Sequence, residues 1–220
     1  MKILCLVPSL PEDLNSECAN AILYQTVPVT DTFLLLKRLR GGTLSSRVSY
    51  VLNKALQTVN LQDYDYLLRV DGDTVLKPNW LKTALESNMD LYGGWGFAML
   101  IRVKPFLELM NGRFNNESDD SYIIHRFCRE GLKVYATHKA ALLTTRKHKH
   151  NKSDQMFCGT IYYKMGYEPL HALAFLVTNR GFKDMWLLWT GYLISWLRHE
   201  RKFDFASRTW NYQVRRLIRI

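Results

Sequence analysis

Strand patterns alternate with helix patterns over the first part of the chain, and this alternation constrains the fold more than any other feature of the sequence. Three apolar runs, Ile3–Val7, Thr32–Leu36 and Tyr66–Val70, are rich in aliphatic, aromatic and β-branched residues and are typical of buried strands. Apolar residues at helical spacing lie between them, up to about Gln25 in the first interval and Val59 in the second. The alternation predicts an α/β fold with a mostly parallel central sheet, right-handed crossovers and flanking helices.

Size and composition describe a folded protein with a large positive charge. Of the 220 residues, 47% are hydrophobic and 23% are charged, which supplies a sizeable core and excludes a disordered chain. The net charge of +10 predicts an anionic partner such as a nucleotide, a phospholipid surface or nucleic acid. The four cysteines lie far apart, so we expect reduced thiols in the cytoplasm, with neither a zinc site nor a disulfide framework.

The strand–helix alternation stops near residue 87, and the composition changes again near residue 181. We expect a catalytic domain over residues 1–180 and a basic, aromatic-rich helical tail over residues 181–220. The sequence gives no sign of a signal peptide, and its longest apolar run is shorter than the ~20 residues needed to cross a bilayer. These observations predict a cytoplasmic protein.

Two aspartates follow the third predicted strand directly, in the sequence Asp71-Gly72-Asp73. Ligands of open α/β sheets bind at this edge, where strands end. Alternate residues of an extended segment point the same way, so Asp71 and Asp73 can converge on one cation. Mg²⁺ and Mn²⁺ favour carboxylate oxygens and commonly keep substrate phosphates as further ligands. The alternative is a solvated turn, because Asp-Gly is a common turn dipeptide.

A second acidic group, Glu117 to Asp120, opens a predicted helix over residues 121–129, with Gly131 past its end. One explanation is structural, because the helix dipole favours acidic residues at a helix start. The functional explanation is a general base, a carboxylate that takes a proton from an acceptor hydroxyl near a metal–phosphate centre.

The order of these motifs resembles glycosyltransferases with the GT-A fold, most nearly the inverting nucleotide-sugar enzymes of family 2. That family carries Asp-x-Asp after a strand and, further on, the pattern E-D-x-x-x-x-x-R-x-x-x-x-G. Asp119-Asp120 falls on the acidic pair, with Asp in place of Glu at its first position, while Arg126 and Gly131 fall on the arginine and the glycine. The glycine-rich segment that ends in Arg47 resembles the family's segment before the metal strand. The resemblance spans roughly residues 2–153.

The resemblance implies a role for each matched residue. Asp73 is expected to bind the metal directly, Asp71 to bind the metal or the ribose, and Asp120 to act as base beside Asp119. Arg47 is expected at the donor site. An inverting displacement needs a base on the face opposite the leaving diphosphate, and two separated acidic sites can supply the base and the metal.

Two further segments are expected at the donor site. The loop from Pro8 to Asp13, with Glu12, follows the first strand and suits a nucleotide pocket. The family often supplies a histidine from a loop after the base, where this chain has His148 and His150 among basic residues that favour an anion. The alternative for the histidines is a basic surface loop.

The chain departs from the family at the end of the second strand. The family usually has an acidic Asp-Asp-x-Ser motif there that reads the nucleobase and ribose, whereas this chain has Leu36-Lys37-Arg38-Leu39. The nucleobase of the donor therefore stays open.

The tail joins a tryptophan-rich apolar stretch, Met185–Leu197, to an arginine- and lysine-rich one. This mixture is typical of helices that lie in the plane of a membrane–water interface. We expect peripheral contact with an anionic membrane surface at the cytoplasmic face. The alternatives are packing on the catalytic domain or a homodimer face.

Taken together, the sequence predicts a hexosyltransferase-like, inverting enzyme. It would use Mg²⁺ or Mn²⁺ and a nucleotide-diphosphate sugar donor, with a saccharide or lipid-linked acceptor. A nucleic-acid-binding protein or Mg²⁺-dependent nuclease is the alternative, because the charge of +10 suits nucleic acid. We expect no nucleic-acid partner, because the sequence has no helix-turn-helix, zinc-finger or strand-stacking motif and the basic residues avoid the acidic motifs.

Overall fold

A computed structural model describes residues 1–11, 14, 16–37, 42–94, 97–137, 143–144, 152–173 and 182–209. The chain forms two compact units, Met1–Lys147 and His148–Ile220. The predicted domain boundary between residues 180 and 181 falls within the second unit and stays a prediction.

The strands and helices of the described residues have the following bounds. The strands are β1 (Ile3–Ser9), β2 (Asp31–Leu36), β3 (Tyr66–Val70), β4 (Thr74–Val75), β5 (Leu91–Gly94), β6 (Ala98–Arg102), β7 (Val134–Tyr135) and β8 (Leu143–Thr144). The helices are α1 (Ser16–Leu23), α2 (Leu44–Leu56), α3 (Trp80–Glu86), α4 (Val103–Met110), α5 (Asp119–Arg129), α6 (Lys152–Lys164) and α7 (Phe182–Leu197), with a short 3₁₀ turn at Leu61–Asp63.

A six-stranded sheet in the order β2-β1-β3-β6-β5-β7 organises the first unit. Strand β1 pairs in parallel with β2 and β3, while β6 runs antiparallel to both β3 and β5. Strand β7 is parallel to β5, and β4 and β8 form a separate antiparallel pair. The predicted parallel arrangement of the first three strands is confirmed, and β6 makes the whole sheet mixed.

Alternate residues of β1 enter two different cores, one on each face of the sheet. Leu4 and Leu6 belong to the cluster that includes residues of α2, α4 and α5. Ile3, Cys5 and Val7 belong to the cluster that includes residues of α1 and α3. Because side chains of a strand point alternately to its two faces, a continuous apolar run is what a strand covered by helices on both faces requires.

Two element boundaries differ from the sequence-based expectation. Pro8 lies inside β1 rather than ending it, because β3 pairs with β1 only as far as Leu6. A proline without an N–H group is tolerated at such a position. Helix α5 begins at Asp119, two residues earlier than predicted, so both aspartates of the acidic pair lie in its first turn.

The glycines of β5 serve packing within the protein. Gly93 and Gly94 have φ angles of 89° and 139°, which side chains rarely adopt. A Cβ at Gly93 would lie 2.3 Å from the carbonyl oxygen of Ala98, and one at Gly94 would lie 2.7 Å from Ile124. Strand β6 and helix α5 therefore occupy the space that the missing side chains leave.

In the second unit, α6 and α7 cross at backbone contact distance. A Cβ at Gly159 would lie 1.8 Å from the carbonyl oxygen of Leu188, and one at Gly191 would lie 1.9 Å from that of Met156. These two glycines allow the helices to approach this closely. Over the part of the chain that the structure describes, every helix is too short or too polar to pass through a bilayer.

Candidate active site

The turn that carries Asp71 and Asp73 is built against the ends of neighbouring strands. The Asp71 N–H donates to the carbonyl oxygen of Phe97 at 2.9 Å, and the Asp71 carbonyl accepts from the Thr74 N–H at 2.9 Å. The Gly72 N–H donates to the carbonyl oxygen of Pro8 at 3.1 Å, which ties the turn to the end of β1.

Glycine is required at the centre of this turn. A Cβ at Gly72 would lie 2.3 Å from the Ser9 hydroxyl oxygen. The close approach of Gly72 to β1 therefore places the two aspartates at the carboxyl ends of β1 and β3, as the sequence predicts.

Arg69 joins this turn to the start of α5. This residue is 5% exposed and lies on β3 two residues before Asp71, with its Nη2 3.0 Å from Asp71 Oδ1. Its Nη1 forms an ion pair with Asp119 Oδ2. The two acidic motifs of the sequence are thus linked through one buried arginine.

A row of polar side chains on α2 holds the segment that leads into α5. Ser45, Ser49 and Asn53 are spaced by four residues and share one face of the helix. The Ser45 hydroxyl donates to Asp119 Oδ1 at 2.7 Å and accepts from the Asp119 N–H at 3.1 Å. The Ser49 hydroxyl donates to the Asn115 carbonyl at 2.6 Å.

Asn53 completes this row, one turn beyond Ser49 on α2. Its side-chain oxygen accepts from the Phe114 N–H at 2.7 Å, and its amide donates to the Phe114 carbonyl at 2.9 Å. Residues 114–119 are therefore fixed along α2 by hydrogen bonds to their backbone as well as by the Asp119 carboxylate.

Asp120 follows in the first turn of α5 and is partly exposed. Its Oδ1 accepts from the Ser121 N–H at 2.6 Å and from the Ser121 hydroxyl at 3.2 Å. Both oxygens of Asp119 are engaged with Ser45 and Arg69, whereas Asp120 accepts from Ser121 at its Oδ1. The two members of the acidic pair thus have different surroundings.

Burial and neighbouring negative charges raise the pKa of two carboxyl groups of the site, Asp71 and Asp120. Burial raises the pKa of Asp71 to about 7, with further contributions from the charges of Asp119 and Asp73, although Arg69 opposes the rise. Burial and the Asp119 charge also raise the pKa of Asp120 above its ordinary value. Arg69 therefore only partly offsets the effects of burial and of the neighbouring carboxylates on Asp71.

The neighbouring carboxylates keep the Arg69 guanidinium group charged. Burial alone lowers the pKa of its guanidinium group, but the charges of Asp119, Asp71 and Asp120 raise it above the usual value. Arg69 is thus a permanent buried cation between the two motifs.

The carboxylate oxygens of this turn fit a divalent cation whose remaining ligands come from a diphosphate. Among the described residues, no three His, Cys, Asp or Glu side chains are grouped as a complete metal site. Asp71 and Asp73 supply hard carboxylate oxygens, and a magnesium-type ion commonly takes one or two carboxylates with phosphate oxygens and water as the rest. The negative charges near Asp71 favour a cation at the same place.

The structure brings several of the predicted site residues together. Pro8, Asp71 and Asp73 lie at one turn, and Asp119 is connected to Asp71 through Arg69. Asp73 is 9% exposed. Asp120 follows Asp119 directly in α5.

The other residues predicted for the site are Arg47, Glu12, His148 and His150. Arg47 lies in the first turn of α2, partly buried, with its N–H donating to the Thr43 carbonyl at 3.1 Å. Glu12, His148 and His150 lie outside the described residues, so their predicted roles stay predictions.

The residues that organise the site were not predicted from the sequence. A charged residue inside the apolar run Tyr66–Val70 was the available signal for Arg69, because a buried charge requires a partner. The four-residue spacing of Ser45, Ser49 and Asn53 was the signal for the polar face of α2.

The fold is that of nucleotide-sugar glycosyltransferases. A mannosyltransferase from Pyrobaculum calidifontis, solved with GDP-Man and Mn²⁺, superposes with a TM-score of 0.58 at 14% identity, covering 98% of this chain and 80% of that one. A mutant of the Drosophila β-1,4-galactosyltransferase 7, solved with manganese, UDP-Gal and xylobiose, gives a TM-score of 0.50 at 15% identity, covering 71% of this chain and 79% of that one. The predicted GT-A fold is thereby confirmed.

Sequence comparisons add little to this. No protein-family model matches the chain. Human copper-containing diamine oxidase is 30% identical over 84 residues, which are 38% of this chain and 11% of that protein. The chain thus spans about a tenth of the length of this relative.

Proposed function

We propose that the protein is a metal-dependent glycosyltransferase that moves a sugar from a nucleotide-diphosphate donor to an acceptor hydroxyl group. The observation that carries this proposal is the pair of carboxylate groups at the carboxyl end of β3 and the start of α5, connected by Arg69. The GT-A fold and the two neighbours, which were solved with nucleotide sugars and manganese, support the same reaction class.

Asp71 and Asp73 would hold the divalent cation, Mg²⁺ or Mn²⁺, at the end of β3. When bound, the cation would offset the negative charge that develops on the departing nucleoside diphosphate. The hydrogen bond from the Gly72 N–H to the Pro8 carbonyl fixes the backbone that carries both carboxylates.

Asp120 would take the proton from the acceptor hydroxyl. A base must be able to accept a proton, and burial together with the charge of Asp119 raises the pKa of Asp120, which makes it a better acceptor than an exposed aspartate. Both oxygens of Asp119 are already paired with Ser45 and Arg69, which favours a positioning role for that residue.

We infer that the sugar is transferred with inversion. Inversion in a single displacement needs the base and the leaving group on opposite faces of the sugar, and the two acidic groups belong to different elements of the fold. A double displacement would instead require a nucleophilic side chain at the sugar carbon.

The tail is proposed to hold the enzyme against an anionic membrane surface, which suits a lipid-linked acceptor. On α7, Trp186 and Trp196 are 69% and 49% exposed. Arg198, Arg201 and Lys202 follow and are also exposed. Exposed tryptophans next to cationic side chains are typical of a membrane–water interface.

The opposite side of α7 is committed to packing within its own unit. Leu188, Tyr192 and Ser195 are buried, and the Tyr192 hydroxyl donates to the Tyr167 carbonyl at 2.7 Å. Trp186 and Trp196 therefore lie on the exposed face of α7. If the protein does not bind vesicles, we expect this exposed face to form a homodimer.

A turnover screen tests the proposal. The purified chain is incubated with a panel of nucleoside-diphosphate sugars in Mn²⁺, in Mg²⁺ and in EDTA, and the released nucleoside diphosphate is measured. We expect release from at least one sugar nucleotide with a divalent cation and none with EDTA. Release that is equal in EDTA would contradict the metal role, and no release from any donor, with or without saccharide acceptors, would contradict the reaction class.

A further inference from the structure

Arg69 occupies an unusual position for a charged residue. It lies on β3, in the middle of the sheet. The residues before and after it in this strand, Leu68 and Val70, are fully buried. A buried charge is retained only when it is paired, and Arg69 is paired with carboxylates on two different elements.

The two contacts use two different nitrogens of the guanidinium group. Nη2 contacts Asp71 at the end of β3, and Nη1 contacts Asp119 at the start of α5. The guanidinium group is planar and rigid, so the hydrogen bond at Nη2 and the ion pair at Nη1 are held in a fixed relation. A lysine ammonium group in the same place is a single point charge and lacks this geometry.

The fixed relation extends to the next residue. Asp120 follows Asp119 in the first turn of α5, and helix geometry ties its position to that of Asp119. Ser45 holds the same Asp119 from the side of α2. The start of α5 is thus held from two directions.

We infer that Arg69 is a positioning residue that couples the carboxylate of Asp71 to the start of α5 and so sets the distance between the donor site and Asp120. The expected effect of Arg69 on kcat rests on the proposed function. The bridge itself, between Asp71, Arg69 and Asp119, is a property of the fold.

The first experiment compares turnover with substrate binding. In Arg69→Lys and Asp119→Asn we expect kcat to fall by roughly 10-fold or more, because a misplaced base costs transition-state stabilisation. The Kd of the nucleoside diphosphate should stay within about threefold in Asp119→Asn, which leaves the contact between Arg69 and Asp71 intact. The double variant should be no slower than the slower single variant, because both changes break one bridge.

Arg102→Lys is the matched control. Arg102 also lies in the sheet and is paired with a carboxylate, since its Nε is 3.3 Å from Asp90 Oδ1. Arg102 is paired with Tyr66, at the end of β3 opposite to Asp71, and we expect kcat to stay within about twofold of the wild-type value.

An apolar replacement separates positioning from stability. Replacing a buried ion pair with apolar residues of similar volume is often neutral or stabilising. In Arg69→Met with Asp119→Leu we expect the melting temperature to exceed that of either single change while kcat stays roughly 10-fold or more below wild type. Recovery of kcat together with the melting temperature would show that the bridge serves stability alone, and the inference would be wrong.

Hydrogen exchange provides a test that does not require turnover. In Arg69→Lys and Asp119→Asn, exchange of amides in residues 115–124 should accelerate by roughly 10-fold, with no change in peptides from α3. If the wild type turns over no nucleotide sugar, the proposed function fails while exchange still tests the bridge. If the wild type is active and Arg69→Lys keeps kcat within about twofold with unchanged exchange, the inference is overturned and the proposed function stands.

Discussion

Replacing Asp71 with asparagine should stabilise the protein in the absence of divalent cations. The carboxylate of Asp71 lies beside Asp73 and Asp119, with Arg69 as its cationic partner, and its side chain is 23% exposed. Asparagine keeps the shape and can still accept a hydrogen bond from Arg69, but it cannot ionise. The change therefore removes a negative charge that is mostly buried and lies near other carboxylates, and it alters little else.

The magnitude follows from the proton affinity of the site. A carboxyl group whose pKa is about 7 in the fold, against 3.8 ordinarily, costs about 4 kcal/mol to ionise above pH 7, at about 1.4 kcal/mol per pH unit. Because part of the Asp71 side chain reaches water, we expect about 2 kcal/mol in practice. The folded pKa is raised, so the wild type loses stability as pH rises from about 4 through 7, and the advantage of Asp71→Asn grows over the same window.

Urea unfolding in EDTA at pH 5 and pH 8 measures this difference. Asp71→Asn should exceed the wild type in free energy of unfolding at both values, with the larger excess at pH 8. Glu108→Gln, which neutralises an exposed carboxylate, is the control and should change stability by less than about 0.5 kcal/mol. Lower stability of Asp71→Asn at pH 8, or an excess that does not depend on pH, would refute the electrostatic reasoning.

Three further changes test other parts of the account. Asp120→Asn should leave nucleoside-diphosphate binding nearly intact and lower kcat by roughly 10²-fold or more in steady-state assays, and kcat within a few-fold of wild type would move the base to Asp119 or Glu117. Replacing Trp186 and Trp196 with serine should reduce co-sedimentation with anionic liposomes even at low salt, whereas wild-type protein that stays in the supernatant with every lipid would argue against membrane contact. Gly159→Ala should lower the melting temperature by several degrees, because its Cβ would collide with the backbone of α7, and an unchanged melting temperature would contradict the close crossing.

Local sequence patterns were sufficient to predict the first three strands and the edge where the site lies. Ile3–Val7 is a continuous apolar run and Tyr66–Val70 is apolar except at Arg69, and both lie in strands buried between helices on two faces. Strand β3 ends with its apolar run at Val70, so Asp71 and Asp73 could be assigned to the sheet edge from the sequence alone.

The antiparallel direction of β6 could not be predicted in the same way. Ala98–Arg102 is as apolar as the parallel strands, and its direction follows from its pairing with β3 and β5 rather than from its own residues. The early start of α5 has a similar origin, since Ser45 and Arg69 hold Asp119 from outside the helix.

The connection between the two acidic motifs is a tertiary feature. Arg69 and Asp119 are far apart in the sequence, and nothing local to either residue identifies the other as its partner. The motifs could be recognised singly, but the arginine that joins them required the fold.

Calorimetry of nucleoside-diphosphate binding tests the central claim most directly, because it addresses the carboxylate site without requiring the sugar or the acceptor. Wild-type protein is titrated with GDP and with UDP, in Mn²⁺ and in EDTA, beside Asp73→Ala. The account predicts that at least one of them binds roughly tenfold or more tightly with Mn²⁺ and that Asp73→Ala loses this gain, a difference of about 1.4 kcal/mol or more. Equal affinity with Mn²⁺ and EDTA, or an unchanged gain in Asp73→Ala, would contradict it.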